Sequence, residues 1–361
     1  MKKLRVLQIF TQPWKIGGAE THLQTLLSSL RAQNCELVLT GTDEKLGSIF
    51  PDVPVYQLPF RSISSLFLNF HRLQKIITEH QISVIHVHQR TGCVYGFLLE
   101  RSLKIPYTCT FHDKWNSTNI IYKPFLPKQM ISISEGVKSH FIDTYHLNPQ
   151  DIRIIPNGID ISHFFINNYQ DSISKLIHIS RFTGRKGQIA LLLCRAIELL
   201  NPHFPNIFLT LVGQGSMEAL IRNQVERTNE ICGRKAVSFL GPRDDIPDLL
   251  SQSSVVIGAG RVALEAMAAG KPVIAIADGD DFPGLIEESN WQDASRTSWT
   301  RGSKRICLDG LVAEITRILR DIGLQQKLQV FGKELVKKYF NSEIMAKKVI
   351  EIYYGLFVPQ S

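Results

Sequence analysis

The stretch Ser254–Ile276 constrains the fold more than any other part of the sequence, because two β-branched runs flank a helix-forming segment. Ser254–Ile257 is typical of a short buried strand. Arg261–Ala269 is rich in Ala, Leu, Glu and Met and has no internal Pro, which favours a helix. Gly270 and Pro272 then supply a helix stop, and Val273–Ile276 is strand-like again. The pattern predicts one βαβ unit of a parallel sheet.

The loop between the first strand and the helix contains two glycines, Gly258 and Gly260. Glycines let the backbone approach a ligand closely, and a helix N-terminus presents unpaired N–H groups to an anion. Glu265 lies one turn into the helix, where a carboxylate can accept two hydrogen bonds from a ribose diol. The alternative is an ordinary acid favoured by the helix dipole, and since glycine loops before helices are common, the motif alone leaves both open.

The length of 361 residues exceeds what one hydrophobic core usually spans, so we expect two domains. Strands alternate with helices throughout, which predicts an α/β fold with doubly wound sheets. A polar stretch, His163–Lys175, interrupts the alternation and is interpreted as a linker. We place the domains at residues 1–168 and 169–338, with a tail at 339–361. Two helices, Leu311–Phe331 and Ser342–Leu356, are predicted near the end.

Composition excludes several classes of protein. The net charge of +8 suits an anionic substrate or an acidic membrane surface, and it equally suits a plain soluble protein. There is no arginine-rich run and no nucleic-acid motif, so no nucleic-acid partner is expected. None of the six cysteines forms a Cys-x-x-Cys pair, which argues against a metal knuckle or disulfide framework and fits a reducing cytoplasm. The apolar run Val6–Phe10 is too short for a signal peptide or a membrane span.

Eight short segments occur in a characteristic order and spacing. They are Gly17-Gly-Ala-Glu20, Phe111-His-Asp113, Ile133-Ser-Glu135, Ile155-Pro-Asn-Gly-Ile-Asp160, Ser180-Arg-Phe-Thr-Gly-Arg-Lys-Gly187, Leu211-Val-Gly-Gln-Gly215, Phe239-Leu-Gly241 and Leu264-Glu-Ala-Met-Ala-Ala-Gly-Lys-Pro-Val273. Together they resemble the family-four glycosyltransferases of GT-B fold, and the resemblance covers nearly the whole chain.

The resemblance implies two facing Rossmann-like domains with the donor site in the interdomain cleft. It implies a nucleotide-sugar donor, a UDP-sugar in our interpretation, in the C-terminal domain and a saccharide or lipid-linked acceptor in the N-terminal one. Residues 339–361 are then a helix that returns to the N-terminal domain. The implied reaction is a hexosyl transfer with retention, without a metal or another cofactor. By the same resemblance the protein builds bacterial cell-envelope polysaccharide, such as lipopolysaccharide, in the cytoplasm or at the inner face of its membrane.

The family motifs also suggest roles for individual residues. Arg181 and Lys186 match the family's phosphate-binding pair, whose cations hold the charge of the departing diphosphate. Gly17 and Gly18 match the loop that passes close to the diphosphate and the acceptor. His112 matches the histidine beside the sugar, where it can donate a hydrogen bond to a hydroxyl or to the leaving oxygen.

The resemblance thus predicts three catalytic residues, His112, Arg181 and Lys186. The donor-binding residues are Gly17, Gly18, Arg181, Lys186, Gly213, Gly258, Ala259, Gly260, Arg261, Val262 and Glu265.

No metal site is expected. His86 and His88 alternate along a strand and so share one face, but a third ligand is not evident in the sequence. The acidic loop with Asp278, Asp280 and Asp281 is typical of a solvated turn.

One position departs from the family pattern. The first of the two motif glutamates would fall at 257, where this chain has Ile257. Backbone N–H groups of residues 259–262 and the side chain of Arg261 are candidates to replace it. The departure keeps two alternatives open: a nucleotide-sugar epimerase or phosphorylase of related fold, and a catalytically silent nucleotide-sugar-binding protein.

A last segment, Phe60–Arg72, combines aromatic residues with Arg61 and Arg72, as interfacial membrane segments do. The alternative is a helix that packs on the first sheet.

Overall fold

The computed structural model describes residues 3–14, 17–60, 63–164 and 174–357. The chain divides into a first unit, Met1–Gly158 with Ser342–Ser361, and a second unit, Ile159–Asn341. Each unit has a mostly parallel sheet with helices, so the predicted doubly wound α/β architecture is confirmed. Position 168, where the sequence analysis divides the domains, and most of the polar stretch interpreted as a linker lie outside the described residues.

The first unit contains a seven-stranded parallel sheet in the order β3-β2-β1-β4-β5-β6-β7. Its strand order reverses between β1 and β4, where ligands of such sheets bind. The strands are β1 (Arg5–Phe10), β2 (Glu36–Gly41), β3 (Val55–Gln57), β4 (Val84–Val87), β5 (Tyr107–Phe111), β6 (Met130–Ser132) and β7 (Ile152–Ile154).

Helices connect these strands and cover the sheet. The first begins at Gly18, directly after Gly17. The helices are α1 (Gly18–Ala32), α2 (Leu46–Ile49), α3 (Ile63–Glu79), α4 (Arg90–Leu103) and α5 (Glu135–Tyr145), with a 3₁₀ segment at Ser117–Phe125.

The second unit contains a six-stranded sheet in the order β10-β9-β8-β11-β12-β14, parallel except for β14, and a two-stranded β13-β15 ribbon. The strands are β8 (Lys175–Ile179), β9 (Phe208–Val212), β10 (Val237–Gly241), β11 (Val255–Ile257), β12 (Val273–Ala275), β13 (Asp281–Phe282), β14 (Gly284–Leu285) and β15 (Lys304–Arg305).

The helices of the second unit follow the same alternation, and the chain ends with a helix of the first unit. They are α6 (Gly184–Leu200), α7 (Glu218–Cys232), α8 (Ile246–Ser251), α9 (Arg261–Ala268), α10 (Trp291–Arg296), α11 (Leu308–Arg320), α12 (Ile322–Tyr339) and α13 (Ser342–Gly355).

The predicted single helix Leu311–Phe331 is wrong, because Asp321 divides it. This residue has an extended conformation (φ −113°, ψ 92°), and its side chain accepts a hydrogen bond of 2.8 Å from the N–H of Leu324. A side chain that caps a new helix offers the backbone an alternative to continuing the old one. The run is therefore α11 followed by α12, and α12 continues to Tyr339.

The last helix, α13, packs in the first unit against α1. Its apolar side chains Met345, Val349, Ile352 and Tyr353 are buried in the same core as Leu23 and Leu27 of α1. Among the described residues, no helix is long and apolar enough to cross a membrane.

Candidate functional site

The carboxyl ends of β8 and β11 form the candidate site of the second unit. These strands are neighbours, and the strand order reverses between them, since β9 and β10 continue on the far side of β8. Arg181 follows β8 and Gly258 follows β11. Open α/β sheets bind ligands at such a reversal. The structure therefore brings the predicted phosphate loop and the predicted glycine loop to one edge of the sheet.

The loop after β8 and the first turn of α6 together carry three cationic side chains. Arg181 is exposed, and its guanidinium has no hydrogen bond or ion pair with any residue that the structure describes. Lys186 Nζ lies 3.7 Å from Asp278 Oδ2, and Arg185 Nη1 lies 2.5 Å from Asp280 Oδ1. The acidic loop thus balances two of the cations, whereas Arg181 remains available for an anionic ligand. Arg185 is part of the same sequence motif, but the family resemblance predicts no role for it.

The backbone of the glycine loop is only partly available to a ligand. The N–H of Gly258 donates to Ile274 O at 3.1 Å, and the N–H of Gly260 donates to Ser298 O at 3.0 Å. Gly260 has φ +61° and ψ −131°, a conformation that is essentially restricted to glycine. Within the described chain, the N–H groups of Ala259 and Val262 have no partner. The N–H groups of Ala259 and Val262 are therefore the ones in this loop that could bind an anion, whereas those of Gly258 and Gly260 are already used within the protein.

Gly213 is required by backbone packing. It has φ +139°, and a Cβ at this position would lie 1.8 Å from the carbonyl oxygen of Ser180. Its N–H donates to Gly241 O at 2.9 Å. This close approach occurs at Ser180, which lies between the end of β8 and Arg181. Gly213 therefore positions the phosphate loop through Ser180.

Arg261 and Glu265 form an ion pair in the first turns of α9. Arg261 Nε lies 2.7 Å from Glu265 Oε1, and the side chains are 14% and 13% exposed. Burial raises the pKa of Glu265, and the neighbouring guanidinium opposes that rise by its charge and its hydrogen bond. The pair holds the carboxylate in one orientation beside the glycine loop.

Ile257, at the position of the absent family glutamate, is fully buried in β11. Its carbonyl oxygen lies 2.9 Å from Nδ1 of His178, which is buried in β8. Burial lowers the pKa of His178 to about 4, so this imidazole is neutral and donates to the carbonyl. The side chain of residue 257 therefore belongs to the core and offers no polar group to a ligand.

In the first unit, Gly17 and Gly18 precede and begin α1. Among the described residues, a Cβ added to Gly18 would meet nothing within 4 Å, whereas one on Gly17 would meet the flexible Glu20 carboxylate at 2.7 Å. Glu20 is buried and accepts a hydrogen bond of 2.6 Å from Gln12 Nε2. Neither protein packing nor backbone conformation requires a glycine at 18. The open space above it is available to a ligand.

His112 follows β5 and lies beside other histidines. Its Nε2 lies 3.2 Å from His88 Nδ1, its ring centroid is 4.7 Å from that of His22, and the rings of His86 and His88 stack at 4.4 Å. Burial lowers the pKa of His86, His88 and His112 well below the usual value, and neighbouring histidines lower it further. These imidazoles are therefore neutral near pH 7.

The expectation that no third ligand accompanies the histidine pair needs correction. One nitrogen each from His22, His88 and His112 lies within 4.8 Å of the other two, a grouping that could hold a metal ion. It arises because α1, the end of β4 and the end of β5 meet in the fold. No local spacing in the sequence indicates this. His86, the other member of the predicted pair, is not part of the group.

Two family descriptions match consecutive parts of the sequence. "Glycosyltransferase Family 4" matches residues 16–163, and "Glycosyl transferases group 1" matches residues 162–291. The match therefore includes the histidine region, the phosphate loop and the glycine loop.

Individual relatives agree with this match. The chain is 27% identical to an uncharacterized glycosyltransferase, MJ1178, of Methanocaldococcus jannaschii over 90% of this chain and 91% of the relative. It is 24% identical to a UDP-Gal:alpha-D-GlcNAc-diphosphoundecaprenol alpha-1,3-galactosyltransferase of Escherichia coli, over 78% and 76%. The crystal structure of HepE from Anabaena with UDP and glucose superimposes with a TM-score of 0.73 at 20% identity, covering 98% of this chain and 100% of the other.

Proposed function

This chain belongs to the family-four glycosyltransferases of GT-B fold and is a glycosyltransferase enzyme, and we propose that it moves a hexosyl group from a UDP-sugar to a saccharide or lipid-linked acceptor. The proposal rests chiefly on one observation. Arg181 and Lys186 follow β8 at the strand-order reversal, next to the glycine loop and Glu265. Cationic side chains beside a helix N-terminus attract the negative charge of a diphosphate, and a carboxylate can accept hydrogen bonds from the ribose hydroxyls.

The base and the acceptor class are supported by similar proteins. HepE from Anabaena has been crystallised with UDP and with UDP-glucose, and the relative from Escherichia coli is named for UDP-Gal and a diphosphoundecaprenol acceptor. We therefore propose a UDP-sugar and a role in bacterial cell-envelope saccharide synthesis, in the cytoplasm or at the inner face of its membrane.

In the proposed mechanism, charge on the leaving diphosphate is neutralised by side chains. Arg181 and Lys186 contact the phosphates, and the N–H groups of Ala259 and Val262 add to the same site. Such preorganised groups stabilise charge that grows as the glycosidic bond breaks. The two cations supply the positive charge, and we propose that transfer needs no metal or other cofactor.

The sugar and the acceptor are assigned to the first unit. Gly18 leaves open space at the start of α1, and His112 carries a neutral imidazole. We propose that Gly17, Gly18 and His112 contact the transferred sugar and the acceptor, and that transfer retains the anomeric configuration. NMR of the product tests retention, because it reports the configuration at the anomeric carbon. A product whose anomeric configuration is opposite to that of the donor would contradict retention.

Nucleotide release tests the proposed donor. The protein is incubated with a panel of UDP- and GDP-sugars, with and without a lipid-linked saccharide fraction as the acceptor. We expect acceptor-dependent release of UDP from at least one UDP-sugar. Release of GDP alone would refute the base assignment, and an altered sugar still attached to UDP would refute transfer.

We also propose contact with an anionic membrane through α3. Its residues Phe67 and Leu68 are 72% and 50% exposed. Arg72 lies on the same helix, whereas Arg61 lies outside the described residues. Exposed apolar side chains near cations suit a membrane interface. In liposome flotation, anionic vesicles should bind the protein better than neutral ones, and the Phe67→Ser/Leu68→Ser variant should bind less. Equal binding to both vesicles, or none, would refute the contact.

A further inference from the structure

A continuous chain of buried polar side chains extends from His112 into the first unit. His112 Nε2 lies 3.2 Å from His88 Nδ1, and His88 Nε2 lies 2.8 Å from Gln8 Oε1. Gln8 Nε2 lies 3.2 Å from the hydroxyl of Tyr353, which lies 2.8 Å from His86 Nδ1. His86 Nε2 lies 2.8 Å from Thr110 Oγ1. We refer to these six residues as the polar chain: Gln8, His86, His88, Thr110, His112 and Tyr353.

The amide of Gln8 gives the polar chain a direction, because its oxygen only accepts hydrogen bonds and its nitrogen only donates them. Since Oε1 faces His88 Nε2, that nitrogen carries the proton. A neutral imidazole has one N–H, so His88 Nδ1 is an acceptor. It accepts from Nε2–H of His112.

The nitrogen of the Gln8 amide fits the same direction of donors and acceptors. Gln8 Nε2–H donates to the oxygen of Tyr353, whose O–H then donates to His86 Nδ1. His86 therefore carries its proton on Nε2 and donates it to Thr110 Oγ1. Each of these five contacts has one donor and one acceptor. Gln8, His86, Thr110 and Tyr353 are almost fully buried, so no bulk water competes for their hydrogen bonds.

We propose that the polar chain holds His112 as the Nε2–H tautomer and that Tyr353 is a positioning residue for the reaction. His112 then presents the lone pair of Nδ1 and accepts a hydrogen bond from a substrate hydroxyl. This differs from the expectation that His112 donates such a bond. The tautomer stands on the structure alone, whereas the contact with a substrate hydroxyl rests on the proposed function.

A metal ion between His22, His88 and His112 is the competing account of the same atoms. It would need lone pairs on both His88 Nδ1 and His112 Nε2, with no proton between them. The polar chain accounts for the 3.2 Å contact between these two nitrogens as a hydrogen bond, whereas two nitrogens that ligate the same metal ion do not hydrogen-bond each other. The contact of His88 with Gln8 fits both accounts, because a metal-ligating histidine also donates its other N–H to an acceptor. The two accounts predict different protonation of His112 Nε2.

The test is two-bond ¹H–¹⁵N correlation NMR of the full-length protein labelled with ¹⁵N-histidine, near pH 7. We expect His112 to show a protonated Nε2 and an unprotonated Nδ1. A protonated Nδ1 in the wild type would overturn the proposal without any variant. A spectrum of these rings that changes when a chelator is added would assign their nitrogens to a metal and overturn it too.

Tyr353→Phe tests the positioning role, and Tyr354→Phe on the same helix is its control, since no contact of the polar chain involves Tyr354. We expect Tyr353→Phe to mix the two tautomers of His112 and to lower kcat by about two- to tenfold, with the KM for the donor unchanged. The control should leave both unchanged. A single Nε2–H tautomer that persists in a folded Tyr353→Phe protein would refute the role.

The two readouts separate the two claims. A correct tautomer in a protein that shows no sugar transfer would contradict the proposed function and leave the polar chain intact. Transfer activity with the opposite tautomer would contradict the polar chain only.

Discussion

The Nε atom of Arg261 lies 2.7 Å from Oε1 of Glu265, one helical turn away, and both side chains are largely buried. The guanidinium therefore engages one carboxylate oxygen. No residue in the described ranges donates a hydrogen bond to the other oxygen, Oε2. The ion pair thus holds a carboxylate near the start of α9, and its other oxygen can accept a hydrogen bond from the proposed ribose.

Glu265→Gln should weaken UDP binding by about ten- to hundredfold. A hydrogen bond to a charged group contributes ~1.5–3 kcal/mol, and the amide offers a weaker acceptor to the ribose. Isothermal titration calorimetry measures the effect. Glu218→Gln is the matched control, because Glu218 also pairs with an arginine four residues away but lies on α7. Equal UDP affinity in the wild type and a folded Glu265→Gln variant would remove the ribose role.

Replacing Arg181 and Lys186 with Ala should reduce turnover much more than stability. Arg181 is exposed, and Lys186 has only a 3.7 Å ion pair with an exposed aspartate, so folding loses little. Loss of one preorganised electrostatic contact costs about 10²–10³ in rate. Arg185→Ala is the control, at the position next to Lys186 in the first turn of α6. If the double variant retained near-normal turnover, the diphosphate would have to bind elsewhere.

Two glycines should respond oppositely to substitution by Ala. Gly213→Ala places a methyl group against Ser180 O in a strained backbone conformation, so we expect a loss of about 3 kcal/mol or more in unfolding free energy. Gly18→Ala should change it by less than about 0.5 kcal/mol while lowering turnover, because the methyl group occupies ligand space.

Urea unfolding measures the stability of both variants, and a nucleotide-release assay measures their turnover. Gly47→Ala is a control at another glycine whose added Cβ would meet no described atom within 4 Å. A fully active Gly18→Ala enzyme would show that no ligand uses that space.

Acidification should destabilise the protein between pH 7 and pH 5. Burial lowers the folded-state pKa of His86, His88, His112 and His178 below the unfolded value of about 6.5. Below that pH the unfolded chain binds more protons, so the free energy of unfolding falls as pH falls, by up to about 1.4 kcal/mol per pH unit for each histidine.

Urea denaturation at several pH values measures the slope. His178→Phe, if folded, should reduce it, whereas His203→Gln, at an exposed position, should not. Constant stability over this range would contradict the assignment of neutral buried histidines.

The sequence predicts the βαβ glycine motif well because its signals are local. Gly270 has φ +68° as a helix stop, and the N–H groups of Gly270 and Lys271 bond back to Met267 O and Ala266 O. The break at Asp321 is missed because its apolar neighbours continue a helical spacing. The Asp321 side chain, which caps α12, outweighs the helical spacing of the apolar residues.

The remaining features depend on contacts between distant parts of the chain. Ser298 and Trp299 both have positive φ, which neither residue type signals, and the Ser298 carbonyl occupies the N–H of Gly260. Gln8 and Tyr353 meet only because α13 packs in the first unit. No local spacing predicts either contact, so the sequence indicates site residues but not which of their hydrogen-bonding groups are available.

The most direct measurement of the central claim is ³¹P NMR of UDP titrated with the protein, since it observes the diphosphate itself. With the wild type and with Arg185→Ala, both phosphorus resonances should shift or broaden. With the Arg181→Ala/Lys186→Ala variant, folded by circular dichroism, they should return to the positions and widths of free UDP at the same concentrations. Resonances that the wild type leaves unperturbed, or that the double variant perturbs as strongly as the wild type, would contradict a diphosphate site at the end of β8.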